Sequence, residues 1–256
     1  MSRGKFAATR DGPTGGVGRV VPVDSMHHTA FPLAGRSIGL IGGLGVGSAV
    51  HYYRELAQAH AARGLAMNLV MVHAHMDHVR GAVEAGDKAG LASYLASLIG
   101  RLKAGGAEFA VVPAVAPHIA IAELIPLSPL PIVNLIDELK REIDARQLRR
   151  VALFGTRYAV ESRLFGRLDQ VEVITPHPDE VDYIHQTYFE IVDAGAGLPA
   201  QREGLSRLAH KLMERDGVEA LILAGTDLAL LFDQQHRFSA PRCRSPAPGR
   251  GRETRY

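Results

Sequence analysis

This chain repeats itself. Gly106-Ala107-Glu108-Phe109-Ala110-Val111-Val112-Pro113-Ala114 returns 111 positions later as Gly217-Val218-Glu219-Ala220-Leu221-Ile222-Leu223-Ala224-Gly225. Ile38-Gly39-Leu40-Ile41-Gly42 returns 113 positions later as Val151-Ala152-Leu153-Phe154-Gly155. Two copies of one unit therefore follow one another. Each echoed block is a short apolar run, the pattern of a strand covered on both faces of a parallel sheet.

The segments between these blocks fit that reading. Strands are expected at 37–41, 68–72, 109–112, 151–154, 171–174 and 220–223, and helices at 48–62, 91–104, 135–145, 180–194 and 201–215. In the first helix Val50, Tyr53, Leu56 and Ala57 supply the apolar spacing. In the second, Leu91, Leu95, Leu98 and Leu102 form one stripe, closed by Gly105-Gly106. Strands alternating with helices give an α/β protein: two pseudo-symmetric domains, each a parallel sheet flanked by helices, with a cleft between them. The boundaries read as an N-terminal extension over 1–36, a first half over 37–135, a second half over 136–236 and a basic tail over 237–256. Ligands in such sheets sit beyond the carboxyl ends of the strands, so the loops after Ile41, Val72, Val112, Phe154 and Leu223 are where a site belongs.

With 46% hydrophobic and 22% charged residues over 256 positions, wholesale disorder is excluded. Charge is distributed unevenly. Residues 1–36 carry +3 and residues 237–256 carry +5, which leaves −6 for the stretch between them. A mildly acidic body argues against a built-in nucleic-acid groove. The single cysteine, Cys243, excludes an internal disulfide framework. With no long apolar run and no apolar segment behind the N-terminal basic residues, neither a membrane span nor a secretory leader is expected, and cytoplasm is the expected location. Glycines and prolines crowd the first 25 residues, which read as a linker, although Val20, Val21 and Val23 fit a short edge strand.

Four sets of residues carry candidate chemistry. Gly42-Gly43-Leu44-Gly45-Val46-Gly47, between a strand and a helix, can turn backbone N–H groups toward an anion. It does not satisfy the dinucleotide fingerprint, which leaves a carboxylate or phosphate cradle, or a tight turn without ligand. His73-Ala74-His75-Met76-Asp77-His78 spells the zinc string of the metallo-β-lactamase-like hydrolases, with His73, His75, Asp77 and His78 as ligands. No recognisable downstream ligands accompany it. His118 and Asp227 lie in equivalent loops of the two halves, where they either face each other as general acid and base or cap helices and hold loops. Asp227 suits a cap for 228–232. Thr156, after Gly155, fits either a carboxylate contact or a helix cap.

These blocks resemble the aspartate/glutamate racemase family, the amino-acid racemases that use no cofactor. Ile38–Gly45 is similar to the family's opening I-G-I-I-G-G-M-G. Gly106–Phe109 leading to Pro117-His118 is similar to G-A-D-F…C-N-T-x-H. Val151–Tyr158 with Glu161-Ser162 resembles the third block, and Leu221–Leu228 resembles I-L-G-C-T-E-L. The resemblance runs from about residue 37 to 232 and places 73–78 in a variable substrate loop. It implies an active site between two α/β domains and a substrate that is a small carboxylic or amino acid. It also implies PLP-independent exchange of a Cα proton between two cysteines, and relatives that are often homodimers.

The two thiols are missing. The first cysteine position is Ala114, followed by Val115 and Ala116 in place of Asn and Thr, and the second is Gly225. The resemblance leaves His118 and Asp227 as catalytic candidates, and Gly43, Gly45, Thr156 and Thr226 as substrate-binding candidates. It also leads us to expect a truncated C-terminal unit, replaced by the Arg/Pro tail, with an exposed sheet edge. The function implied is racemase-like isomerase chemistry next to a carboxylate, weak or altered. The alternatives are a non-catalytic carboxylate-binding or decayed relative, and a zinc hydrolase.

Overall fold

The computed structural model describes residues 19–22 and 35–232. Cys243, the basic tail, Val23 and the rest of the N-terminal extension lie outside the described residues. The strands form two four-stranded sheets, parallel throughout. The first contains β2 (Ile38–Gly42), β3 (Leu69–His73), β4 (Phe109–Val111) and β5 (Ile132–Val133), in the order β3-β2-β4-β5. The second contains β6 (Arg150–Gly155), β7 (Glu172–Ile174), β8 (Ala220–Ala224) and β1 (Arg19–Pro22), in the order β7-β6-β8-β1.

The two orders superpose strand for strand: β3 on β7, β2 on β6, β4 on β8, and β5 on β1. Sequence order breaks only at the last pair. The fourth strand of the second sheet comes from the N-terminal segment, whose Arg19–Pro22 runs beside Ala220–Leu223. This corrects two expectations. The edge of β8 is not bare, and the first 25 residues are not all linker.

The repeat has a physical basis at both of its glutamates. The Ser37 N–H donates to Glu108 Oε2 at 2.7 Å, and the Arg149 N–H donates to Glu219 Oε2 at 2.7 Å. Each carboxylate thus holds the start of the neighbouring strand. The glycines two residues earlier, Gly106 (φ 93°) and Gly217 (φ 68°), take the left-handed backbone that lets a helix turn directly into a strand.

Helices cover both sheets: α1 (Val46–Ala61), α2 (Met76–Glu84), α3 (Lys88–Ala104), α4 (Ile121–Leu127), α5 (Leu135–Ala145), α6 (Arg157–Glu161), α7 (Arg163–Gly166), α8 (Pro178–Ala194) and α9 (Pro199–Asp216). Two 3-10 turns, Ala116–Ala120 and Thr226–Leu230, follow β4 and β8. The leucine stripe of α3 is buried against the first sheet as its spacing implies. In α1 the phase differs from expectation. Val50 and Tyr53 are 60% and 49% exposed, while Gly47, Ser48, Ala49 and Tyr52 face inward, because small residues there let the helix approach the second half. Helices α2, α4, α6 and α7 and the two-residue β5 were not placed from the sequence. No helix among the described residues is long and apolar enough to cross a membrane.

Candidate functional site

A cavity of about 320 Å³ opens between the two halves. That is at the small end of the range for small-molecule sites, roughly 300–1,000 Å³. From the first half it is lined by Leu44, by residues of α2 and by Ala114–Pro117; from the second half by Thr156–Tyr158, Phe165 and α8. The lining thus gathers the loops after β2, β4 and β6, where the strand topology places a site.

Of the six residues expected to form the site, Thr156 alone lines this cavity. Its Oγ1 accepts the Ala159 N–H at 3.1 Å, capping α6, so the hydroxyl hydrogen is left to donate elsewhere.

His118 is 2% exposed, and backbone groups occupy both ring nitrogens. Nδ1 donates to the Ala114 carbonyl at 2.8 Å, and Nε2 accepts the Leu135 N–H at 3.3 Å. Burial drives its pKa down to about 4, so the ring is neutral and ties the loop after β4 to the start of α5.

Asp227 is fully buried. Its Oδ1 accepts the Ser48 N–H, at the first turn of α1, at 3.0 Å, and its Oδ2 has no hydrogen-bond partner among the described residues. It is not the N-cap of its own 3-10 turn, a position held by Gly225. The acid–base pair expected of His118 and Asp227 is therefore not assembled.

The glycine loop does cradle a carboxylate, but one belonging to the chain itself. A Cβ at Gly45, where φ is 132°, would fall 2.4 Å from Asp227 Oδ2, and a Cβ at Gly47 would fall 2.5 Å from Leu230 Cδ1. The loop is packed against the second half rather than opened toward a ligand. Gly43 lies against the Ala74 carbonyl and the His73 ring, and Thr226 is 7% exposed; neither lines the cavity.

The zinc reading fails on geometry. Among the described residues no three His, Cys, Asp or Glu side chains converge on a point that would hold a metal. Asp77 enters α2 one residue after its start, and the His78 ring packs on Tyr94 with centroids 4.4 Å apart. A helix turns these neighbours in different directions.

The residues that do furnish the cavity were missed by the sequence reading. Arg80 of α2 holds its guanidinium 5.3 Å over the Phe189 ring and has no acidic partner among the described residues. Arg157 is already neutralised by Glu161, at 3.4 Å, and by Asp182. The Arg157 N–H donates to His185 Nδ1 at 3.0 Å, which leaves Nε2 as the protonated ring nitrogen. Burial, then the charge of Arg157, holds the His185 pKa below its ordinary value, so the ring is a neutral donor. Burial, then the charge of Asp227, raises the Tyr188 pKa, which keeps the phenol protonated. Three consecutive non-glycine residues in the left-handed region, Arg163, Leu164 and Phe165 (φ 51°, 55° and 62°), bring the Phe165 ring to the wall, 5.7 Å from Tyr158.

Position 225 is closed. A Cβ there would lie 2.3 Å from Tyr188 Cε2 and 2.7 Å from Cδ2, so the tyrosine ring fills the space a side chain would need. The backbone at Gly225 is ordinary (φ −143°), and the obstruction is purely steric.

Signals for these residues were present but unspecific. His185, Tyr188, Phe189 and Val192 recur at i, i+3, i+4 and i+7, which reads equally well as a packing stripe. Arg80 lies on a helix hidden under a histidine-rich string.

Comparison with known proteins gives a consistent picture. The family model described as Asp/Glu/Hydantoin racemase matches residues 41–241. Among solved structures, a putative Asp/Glu racemase from Yersinia pestis is 26% identical with a TM-score of 0.67, covering 78% of this chain and 90% of that one. An aspartate racemase homologue from Pyrococcus horikoshii is 26% identical with a TM-score of 0.64, covering 78% and 89%. The aspartate racemase of Picrophilus torridus is similar in fold, at 16% identity and a TM-score of 0.61, covering 78% and 85%.

Proposed function

Because this chain belongs to the Asp/Glu/Hydantoin racemase family, we propose that its cleft binds a small carboxylic or amino acid and that its PLP-independent isomerase chemistry next to the carboxylate is weak or altered. The observation that carries the reading is the character of the cavity wall. Arg80, the Thr156 hydroxyl, His185 Nε2 and the Tyr188 hydroxyl are all hydrogen-bond donors. These four donors suit a carboxylate, with Glu161 tied to Arg157 and Glu84 exposed on α2.

Racemisation needs more than that. A base must remove the Cα proton from one face and an acid must return it to the other. In the proposed alignment with the family, the two faces are those of Ala114 and Gly225. A methyl group stands at the first, and the edge of the Tyr188 ring covers the second. Glu161 is engaged with Arg157, His185 Nδ1 is engaged with a backbone N–H, and the protonated phenol is a donor. Among the described lining residues the carboxylate that remains is Glu84, exposed on α2, and it belongs to neither the Ala114 loop nor the Gly225 loop. Loss of one proton-transfer group costs about 10²–10⁴-fold, so loss of both leaves little exchange.

Two measurements on the intact chain test this. Calorimetric titration with small carboxylic acids should show saturable binding that Arg80→Gln weakens at least about tenfold, in line with the loss of a charge-assisted hydrogen bond. Proton–deuterium exchange at Cα of bound amino acids in D₂O should be slow. Absence of binding would sink the reading, as would fast exchange in the unmodified chain.

A further inference from the structure

Building on that binding site, we infer that the ligand is a monocarboxylic acid with an aromatic or branched aliphatic side chain rather than an acidic amino acid. Charge is the first reason. Among the described residues the cavity offers one cation that is not already paired, Arg80, while Arg157 is neutralised by Glu161 and Asp182 and the exposed Glu84 adds a negative charge to the lining. One carboxylate satisfies Arg80. A second carboxylate, as in aspartate or glutamate, would have to leave water without a counter-charge, which is strongly unfavourable.

The remaining wall is the second reason. Around Arg80 the apolar lining consists of Met76, Val79 and Val83 of its own helix with Phe165, Phe189 and Val192 of the second half. It combines thioether, branched aliphatic and aromatic surface from both halves, which are groups that gain by covering an apolar side chain. A dry cavity of about 150 Å³ accepts a benzene ring. About 320 Å³ therefore accommodates a ring together with its carboxylate arm. The Phe189 ring, in contact with the Arg80 guanidinium at 5.3 Å and with the His185 ring edge-to-face at 4.9 Å, is held in place as part of the wall that a ligand ring would meet.

The experiment is titration calorimetry of the intact chain with acetate, phenylacetate, 3-phenylpropionate, and both enantiomers of leucine, phenylalanine, aspartate and glutamate. The phenyl and leucyl acids should bind at least about tenfold more tightly than acetate, aspartate or glutamate, the lower end of what one or two methylenes are worth in an apolar pocket. A second variant adds the missing charge. Val192 is half-buried, lines the cavity and lies in the last turn of α8, where a cation is favoured by the helix dipole. Val192→Lys should strengthen aspartate or glutamate binding by about tenfold and weaken phenylacetate.

Aspartate or glutamate binding as tightly as phenylacetate in the unmodified chain would overturn the substrate class and leave the carboxylate site standing. Val192→Lys with an unchanged order of preference would do the same. No binding by any member of the panel would overturn the carboxylate site as well.

Discussion

The Tyr188 ring stands where a side chain at position 225 would have to go, with Cε2 2.3 Å from the Cβ that Gly225 lacks. The two positions come from different elements, α8 and the loop after β8, and each makes sense only with the other. A glycine there is not a loss of side chain alone; the volume has been reassigned. A cysteine returned to position 225 would meet the ring first.

That relationship gives a double-mutant cycle. Gly225→Ala should destabilise the chain by about 1–3 kcal/mol through overpacking. Tyr188→Ala should destabilise it too, by leaving a hole. Together they should cost less than their sum by about 1 kcal/mol or more, because each relieves the other. Urea denaturation of the four proteins reads the coupling directly. Additive losses would mean that the ring moves aside freely.

Asp227 fastens the second half to the amino end of α1 through the Ser48 N–H. Its replacement by alanine should cost about 1–3 kcal/mol, the penalty for a buried donor left without a partner. Asparagine behaves differently. Burial raises the Asp227 pKa, so the group favours folding at acid pH, and that contribution is lost as pH rises through its folded value. Asparagine keeps the acceptor and drops the charge, so at neutral pH Asp227→Asn should be clearly more stable than Asp227→Ala. Equal stability of the two variants would show that the clamp contributes nothing.

His118 makes stability depend on pH in the opposite sense. Its pKa of about 4 in the folded chain lies below the ordinary 6.5, so the unfolded chain binds the proton more readily. Stability from this residue is complete above pH 6.5 and is lost as pH falls toward 4. The full effect is about 3 kcal/mol. His118→Asn should flatten the difference in denaturation midpoint between pH 7 and pH 4.5. A slope identical to that of the unmodified chain would contradict the buried, doubly bonded ring.

Pairing of Arg19–Pro22 with β8 gives the N-terminal segment a definite task. Removing residues 1–25 leaves a parallel edge unpaired, and such edges pair with other chains. The shortened chain should associate in a concentration-dependent manner by sedimentation velocity and should melt at a lower temperature. A shortened chain that sediments and melts like the full one would show that β1 does not close the sheet.

How legible all this was in the sequence follows from what periodicity reports. The repeat around Ile38 and Phe109 and their echoes marked β2, β4, β6 and β8, and the leucines of α3 marked its buried face, because burial of apolar residues is a local pattern. The edge strand β1 was visible only as a run of valines. Its partner, β8, lies some two hundred residues away, and nothing local announces such a pairing. The site was harder. His118 and Asp227 stood at the right loops, but whether a polar side chain faces a cleft or a neighbouring backbone depends on tertiary packing. Here packing gave His118 to Ala114 and Leu135, and Asp227 to Ser48. Arg80 and Tyr188 matter for the same reason in reverse: they lie on helix faces that become a wall only when the two halves meet.

The central claim is that this cleft holds a carboxylic acid while lacking a positioned base on either face. Cα proton exchange in D₂O, followed by NMR, tests it most directly on three proteins: the unmodified chain, Ala114→Cys/Gly225→Cys, and that pair combined with Tyr188→Ala, each first confirmed as folded by circular dichroism. Exchange should be near background in the first two and should rise at least about 100-fold in the third, where two thiols have room to face one another. Rapid exchange in the unmodified chain would contradict the claim outright. Equal exchange in the second and third proteins would contradict the part assigned to Tyr188.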